Sequence, residues 1–263
     1  MTLPAHFELG QGRTAVLLLH GVGGGRSIWY DGASGTASAI ADAGFRAVAI
    51  DFPGYGDSAG SPTLGAMVQA VLDMVEHLRA DRTVLLGHSM GGMVAQEVAA
   101  RAPQVAAGLV LACTSASFGR ADGAWQAKFV AERLAPLDAG LGMAGMAELL
   151  VPGIVSPQAP AAALKIARDI MAQVPESTYR VALPAIAAFD RREALVAIHV
   201  PTLLLAAADD RTAPPEIMQR MASRVPGSEY LCLPGAGHIA NVEAPEAFNA
   251  AVVGFLQRHF SDD

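Results

Sequence analysis

The run Thr83-Val84-Leu85-Leu86-Gly87-His88-Ser89-Met90-Gly91-Gly92-Met93-Val94-Ala95-Gln96 restricts the possible folds of this chain more than any other segment. An apolar stretch of strand character leads into G-x-S-x-G and then into a helix-forming segment. Glycines at 87 and 91 permit a turn too tight for side chains, which projects the Ser89 hydroxyl away from the strand end. The helix N-terminus that follows favours developing negative charge. The competing reading is an ordinary strand-to-helix turn with a serine cap. The position directly between a buried strand and a helix selects Ser89 as a candidate nucleophile.

Other short apolar runs surround this one. Ala15 to Leu19, Ala47 to Ile50 and Leu109 to Ala112, like Thr83 to Leu86, lack polar alternation, as strands buried on both faces of a parallel sheet do, and the sheet pattern resumes after Pro201 with Thr202 to Ala206 and Glu229 to Leu233. Between them Gly65 to Arg79 carries an apolar stripe at Met67, Val71, Leu72, Val75 and Leu78, so strand and helix alternate as in βαβ units. From Ser117 to Ile198 only helical patterns occur, over Trp125 to Leu134, Met143 to Leu150, Ala161 to Val174 and Tyr179 to Ala188. These are expected to be broken by Pro136, Pro152, Pro157, Pro160 and Pro175. The expectation is one α/β fold, with a mostly parallel central sheet flanked by helices, built from residues 1–117 and 199–263. Residues 118–198 are expected to form an inserted helical cap, or lid.

A serine hydroxyl needs a base, and the chain has seven histidines. His238 lies in the loop Pro234-Gly235-Ala236-Gly237-His238, after the last strand and before the terminal helix, where it can reach back over Ser89. His6, His77, His199 and His259 read as surface or packing residues, and His88 is expected to point away from the pocket. The base needs a carboxylate to fix its tautomer, and Asp209 and Asp210 both follow the strand Thr202 to Ala206. Spacing alone does not separate them. Two backbone donors for an oxyanion are expected at Met90, next to the nucleophile, and at Val22 in the Gly-rich loop His20 to Gly25. That loop lacks the G-x-x-x-x-G-K-[ST] pattern of a phosphate loop. Asp51 to Ser58 reads as a shaping turn.

A net charge of −7 with scattered basic residues argues against nucleic-acid binding, and 52% hydrophobic content suits a globular fold. Cys113 and Cys232 read as reduced residues within apolar runs. Met1 to His6 resembles no signal peptide, so a soluble, cytoplasmic protein acting on a small molecule is expected, without cofactor or metal.

Taken together, L-L-L-H-G-V-G-G-G-R-S-I-W, D-F-P-G-Y-G-D-S, G-H-S-M-G-G-M-V-A and P-G-A-G-H-I-A-N-V-E-A-P-E-A-F resemble the α/β-hydrolase superfamily over nearly the whole chain. The resemblance implies a Ser–Asp–His order. Its acid pattern G-x-x-D-x-x-x-P, with Ala207 in the glycine's place and Pro214 at the end, selects Asp210. Within the superfamily the chain is most similar to 3-oxoadipate enol-lactonases, through C-T-S-A-S-F-G, M-A-E-L-L-V-P and the trio Trp125, Lys128 and Arg133. This implies a serine hydrolase that cleaves a small ester or lactone through an acyl-enzyme, with Lys128 or Arg133 meeting a substrate carboxylate. C–C hydrolases of ring-fission products often carry Asn before the serine, where this chain has His88. A non-catalytic small-ligand receptor on the same fold is the other alternative.

Overall fold

The computed structural model describes residues 3–30, 35–119 and 123–261. Its centre is a seven-stranded sheet of β1 (His6–Leu9), β2 (Thr14–Leu19), β3 (Arg46–Ile50), β4 (Arg82–His88), β5 (Gly108–Ala112), β6 (Thr202–Ala207) and β7 (Glu229–Leu233). The strand order is β1-β3-β2-β4-β5-β6-β7. All pairings are parallel except β1 against β3. Every residue of β2 is buried, as is every residue of β5 and β6, which is why these strands read as unbroken apolar runs. β1 escaped the sequence pattern because it is a half-buried edge of four residues that alternates polar and apolar side chains.

Helices cover the sheet, among them α1 (Thr36–Asp42), α2 (Leu64–Leu78), α3 (Met90–Arg101), α8 (Pro215–Ala222) and α10 (Pro245–Phe260). The apolar stripe of α2 is buried at Met67, Val68, Val71, Met74 and Leu78, and the Thr63 hydroxyl caps the helix by accepting from Ala66 N–H (3.2 Å). On α10, Phe248, Val252, Phe255, Leu256 and Phe260 bury one face at three- and four-residue spacing.

From β2 the chain moves to β3 on one side of the sheet, then returns to β4 on the other. The loops that leave β2 and β4 therefore diverge, and a crevice opens between them at the carboxyl ends of the strands. Among the described residues four α-helices lie between β5 and β6: α4 (Ala124–Asp138), α5 (Gly142–Ile154), α6 (Ala161–Ala172) and α7 (Glu176–Ala187). Pro160 and Pro175 immediately precede α6 and α7. Pro136 and Pro152, expected to break helices, instead lie inside α4 and α5. Each occupies the last turn, where a missing N–H removes a single ladder bond and little helix remains to disrupt.

The ends of the helical insert are tied together. Ser117 bridges Asp190 in antiparallel fashion, Phe118 N–H donates to the Phe189 carbonyl (3.0 Å) and Arg191 N–H to that of Ala116 (2.7 Å). Arg191 also pairs with the fully buried Glu97 of α3. α6 packs against the 3-10 turn Arg26–Trp29 and the short helix α9 (Ala240–Glu243), which places it over the strand ends.

A Cβ on Gly91 would overlap the carbonyl oxygen of Leu19 in β2, whereas one on Gly65 near the start of α2 meets nothing. Gly91→Ala is expected to lower stability by about 3 kcal/mol through forced backbone displacement. Gly65→Ala should raise it by about 0.5 kcal/mol. Guanidinium unfolding of both variants tests the contrast.

Candidate active site

Ser89 sits between β4 and α3 with φ 53° and ψ −116°, a conformation L residues rarely adopt. Its backbone is held on both sides. Ser89 N–H donates to the Ala112 carbonyl (3.0 Å), and the Thr114 hydroxyl donates to the Ser89 carbonyl (2.7 Å). Side chains at Gly87 and Gly92 would overlap Gly91 and Thr114 respectively, so the turn accepts glycine at both positions for want of space.

His238 Nε2 stands 3.0 Å from Ser89 Oγ, and His238 Nδ1 stands 2.9 Å from Asp210 Oδ2. A carboxylate only accepts, so Nδ1 carries the proton and Nε2 presents its lone pair to the serine hydroxyl. Asp210 is buried, and its Oδ1 accepts from the N–H groups of Thr212 (2.7 Å) and Ala213 (2.9 Å). Burial pushes its pKa upward, but the His238 ring and these hydrogen bonds outweigh that and hold it below the ordinary aspartate value. Asp209 faces elsewhere: its Oδ2 accepts from the Ser156 hydroxyl (2.6 Å). Asp209 N–H donates to the Ala236 carbonyl and Ala208 N–H to that of Leu233 (both 2.9 Å), stitching the loop after β6 to the loop that carries His238.

The loop after β2 is fixed by two aromatic rings. His20 Nδ1 donates to the Gly21 carbonyl (2.8 Å) while Nε2 accepts from Phe52 N–H (3.1 Å), which specifies one neutral tautomer. Burial lowers its pKa to about 4. The buried Tyr55 hydroxyl donates to the Val22 carbonyl (3.0 Å). Val22 N–H donates to no carbonyl among the described residues, and Met90 N–H opens α3, where no intrahelical acceptor exists. Among the described residues both amides are thus unspent donors, one on the loop after β2 and one in the first turn of α3. Asp51, assigned from sequence to a shaping turn, is buried and accepts from Arg26 through both its backbone N–H (2.7 Å) and its guanidinium.

His88, expected to point away from the pocket, is buried against the His238 backbone: its Nε2 donates to the His238 carbonyl (2.7 Å), and burial first, then the neighbouring His238, lower its pKa to about 3. Among the other expected residues, Trp125 is 38% exposed and stacks on Phe129, whose ring also carries the Arg133 guanidinium at 5.1 Å. Lys128 stands in solvent and pairs with Glu132 (3.6 Å). Cys113 is buried and Cys232 half-buried, and both are free thiols. Among the described residues no helix is long and apolar enough to cross a membrane.

Glu243 received no role from the sequence, yet it is buried among the backbone amides around His238. Its place in H-I-A-N-V-E, five residues after the base, was the available signal, but a carboxylate near a helix start ordinarily reads as solvated.

Residues 14–245 match the α/β-hydrolase fold family, and the chain belongs to it. It is 34% identical over 267 residues to the dihydrolipoyllysine-residue acetyltransferase component of the acetoin cleaving system of Pseudomonas putida, covering 96% of this chain but 66% of that protein. It is 29% identical to 3-oxoadipate enol-lactonase 2 of Acinetobacter baylyi, over 80% of this chain and 78% of the relative. Among solved structures, a thermophilic esterase from Thermogutta terrifontis superposes with a TM-score of 0.84 at 29% identity, covering 98% of this chain and 94% of the esterase.

The two buried neutral histidines make stability depend on pH. Their folded pKa values lie below the free value of 6.5, so below pH 6.5 the unfolded chain binds more protons and stability falls. Each is expected to remove about 2 kcal/mol between pH 6.5 and pH 5. His88→Gln keeps a donor for the His238 carbonyl but cannot titrate, and should remove about half of this slope in denaturant titrations run at several pH values.

Proposed function

We propose that this protein is a serine hydrolase that cleaves a small carboxylic ester or lactone through an acyl-enzyme. The observation that carries the reading is the continuous relay of Ser89 Oγ, His238 and Asp210 at 3.0 and 2.9 Å. His238 Nε2 takes the serine proton as Oγ bonds to the substrate carbonyl carbon, and Asp210 stabilises the imidazolium that forms. The carbonyl electron pair moves to oxygen, where the amides of Val22 and Met90 donate to it. When the tetrahedral adduct collapses, the bond to the leaving alkoxide breaks and His238 returns the proton to it. In a lactone the leaving group stays tethered. Water, deprotonated by His238, then attacks the acyl carbon, and Ser89 Oγ departs with the proton.

The choice of Asp210 over Asp209 rests on direction: the first faces His238 and the second faces Ser156. An ester or lactone substrate is supported by the family relation to an enol-lactonase and an esterase. We place the helical insert, residues 118–198, as a cap over the crevice, since α6 rests on the elements bordering the strand ends. Of the two cations expected to meet a substrate carboxylate, Arg133 is the half-buried one, and we keep it as the candidate. Lys128 points into solvent.

Turnover of a short p-nitrophenyl ester is the direct test. Ser89→Ala should lower kcat on the order of 10^4-fold or more, with the fold intact by circular dichroism, and Asp210→Asn by roughly 10^2- to 10^4-fold. Asp209→Asn should change it by less than about 10-fold, since Asp209 has no contact with the base. Retained activity in Ser89→Ala would remove the nucleophile assignment, and a greater loss at Asp209 than at Asp210 would exchange the two aspartates. A parallel assay of lactones, esters and a vinylogous 1,5-diketone separates substrate classes, with turnover of the diketone alone overturning the ester or lactone reading.

A further inference from the structure

The backbone around His238 is held from several directions at once. His238 N–H donates to the Ile154 carbonyl at the end of α5 (2.8 Å), and its own carbonyl accepts from His88 Nε2 (2.7 Å). The amides on either side both end on one carboxylate. Gly237 N–H donates to Glu243 Oε2 (2.9 Å) and Ile239 N–H to Glu243 Oε1 (2.9 Å). The same Oε2 accepts a third amide, Ser156 N–H (2.7 Å), from the segment that follows α5. The Ser156 hydroxyl in turn reaches Asp209, next to the acid Asp210. A Cβ on Gly237 would overlap the Ser156 backbone nitrogen, so the two segments touch main chain to main chain.

We infer that Glu243 is a positioning residue that clamps the His238 loop to the end of α5, so that the helical insert sets where the base stands over Ser89. The inference rests on the hydrolase reading for its effect on rate. Glu243 touches neither Ser89 nor the His238 ring; it acts through the two amides that flank the base. A carboxylate suits the place because three N–H donors converge there, and only a group with acceptors on both oxygens satisfies all of them. A glutamine presents an NH2 on one side and leaves either Ile239, or Gly237 together with Ser156, facing another donor. The loop can then relax, and the 3.0 Å separation of Nε2 from Oγ is no longer imposed.

The test combines kinetics with amide exchange. With a p-nitrophenyl ester, Glu243→Gln should lower kcat about 10- to 100-fold while KM changes less than about threefold, because the base and not the substrate contacts is displaced. In the unmodified protein, the amides of Ser156, Gly237, His238 and Ile239 should exchange slowly and within about tenfold of one another, as one opening unit. In Glu243→Gln at least one of them should exchange about 100-fold faster, with Leu85 and Leu86 of β4 unchanged. A kcat within twofold of the unmodified enzyme would overturn the inference, as would lost activity with all four amides still protected. If Glu243→Gln does not fold, exchange in the unmodified protein decides: Gly237 and Ile239 exchanging at open-chain rates would defeat the clamp. The exchange readout also stands if no ester is turned over, which separates failure of the clamp from failure of the hydrolase reading.

Discussion

The first turn of α3 crosses the end of β2 so closely that a single methyl group on Gly91 would overlap the Leu19 carbonyl. This approach brings the amide of Met90 and the loop beginning at His20 to opposite lips of one crevice, because β2 and β4 are neighbours whose chains leave in different directions. Gly91 makes the contact possible, Gly87 and Gly92 leave room for Gly91 and Thr114, and hydrogen bonds from Thr114 and to Ala112 hold Ser89 in its strained backbone conformation. Cys113, which lies between those two partners in sequence, also has a positive φ (46°). The surroundings over-determine the backbone of Ser89, so its hydroxyl is presented at a fixed point.

Around that point three histidines perform different work, and their hydrogen-bond partners separate them. His20 and His88 meet backbone groups and are buried, which keeps them neutral and makes each a brace, one for the Gly-rich loop and one for the His238 carbonyl. His238 alone lies between a hydroxyl and a carboxylate, where a proton can be accepted on one nitrogen while the other is held. The ring placed to exchange a proton with Ser89 is thus set beside two rings held neutral by burial.

Much of the site is supported by main-chain contacts between loops distant in sequence. Ala208 and Asp209 bond the loop of Asp210 to the segment that carries His238, Ile154 bonds His238 to the end of α5, and Glu243 gathers amides from both sides of that junction. At the opposite end of the insert, Arg191 meets the fully buried Glu97 on the helix that follows Ser89. The four helices described between β5 and β6 are therefore anchored to α3 at one end and to the His238 loop at the other.

The sequence by itself determined the fold and the identity of the chemical groups. Unbroken apolar runs suit strands buried inside a parallel sheet, and G-x-S-x-G between strand and helix admits few geometries, so β2 to β6 and Ser89 were legible from residue order, while β7, a partly exposed edge strand, was legible as a strand only by its place after β6. His238 followed from its place after the last strand, while Asp210 was separable from Asp209 only through family resemblance, since adjacent carboxylates have the same spacing. Tertiary structure alone decided direction: that Asp210 turns to the imidazole and Asp209 to Ser156, that His88 bonds the His238 carbonyl, and that Glu243 is buried. The physical reason is that these choices depend on amides brought together from residues 154–156, 209 and 237–239. Residue order specifies which donors exist but not which of them converge.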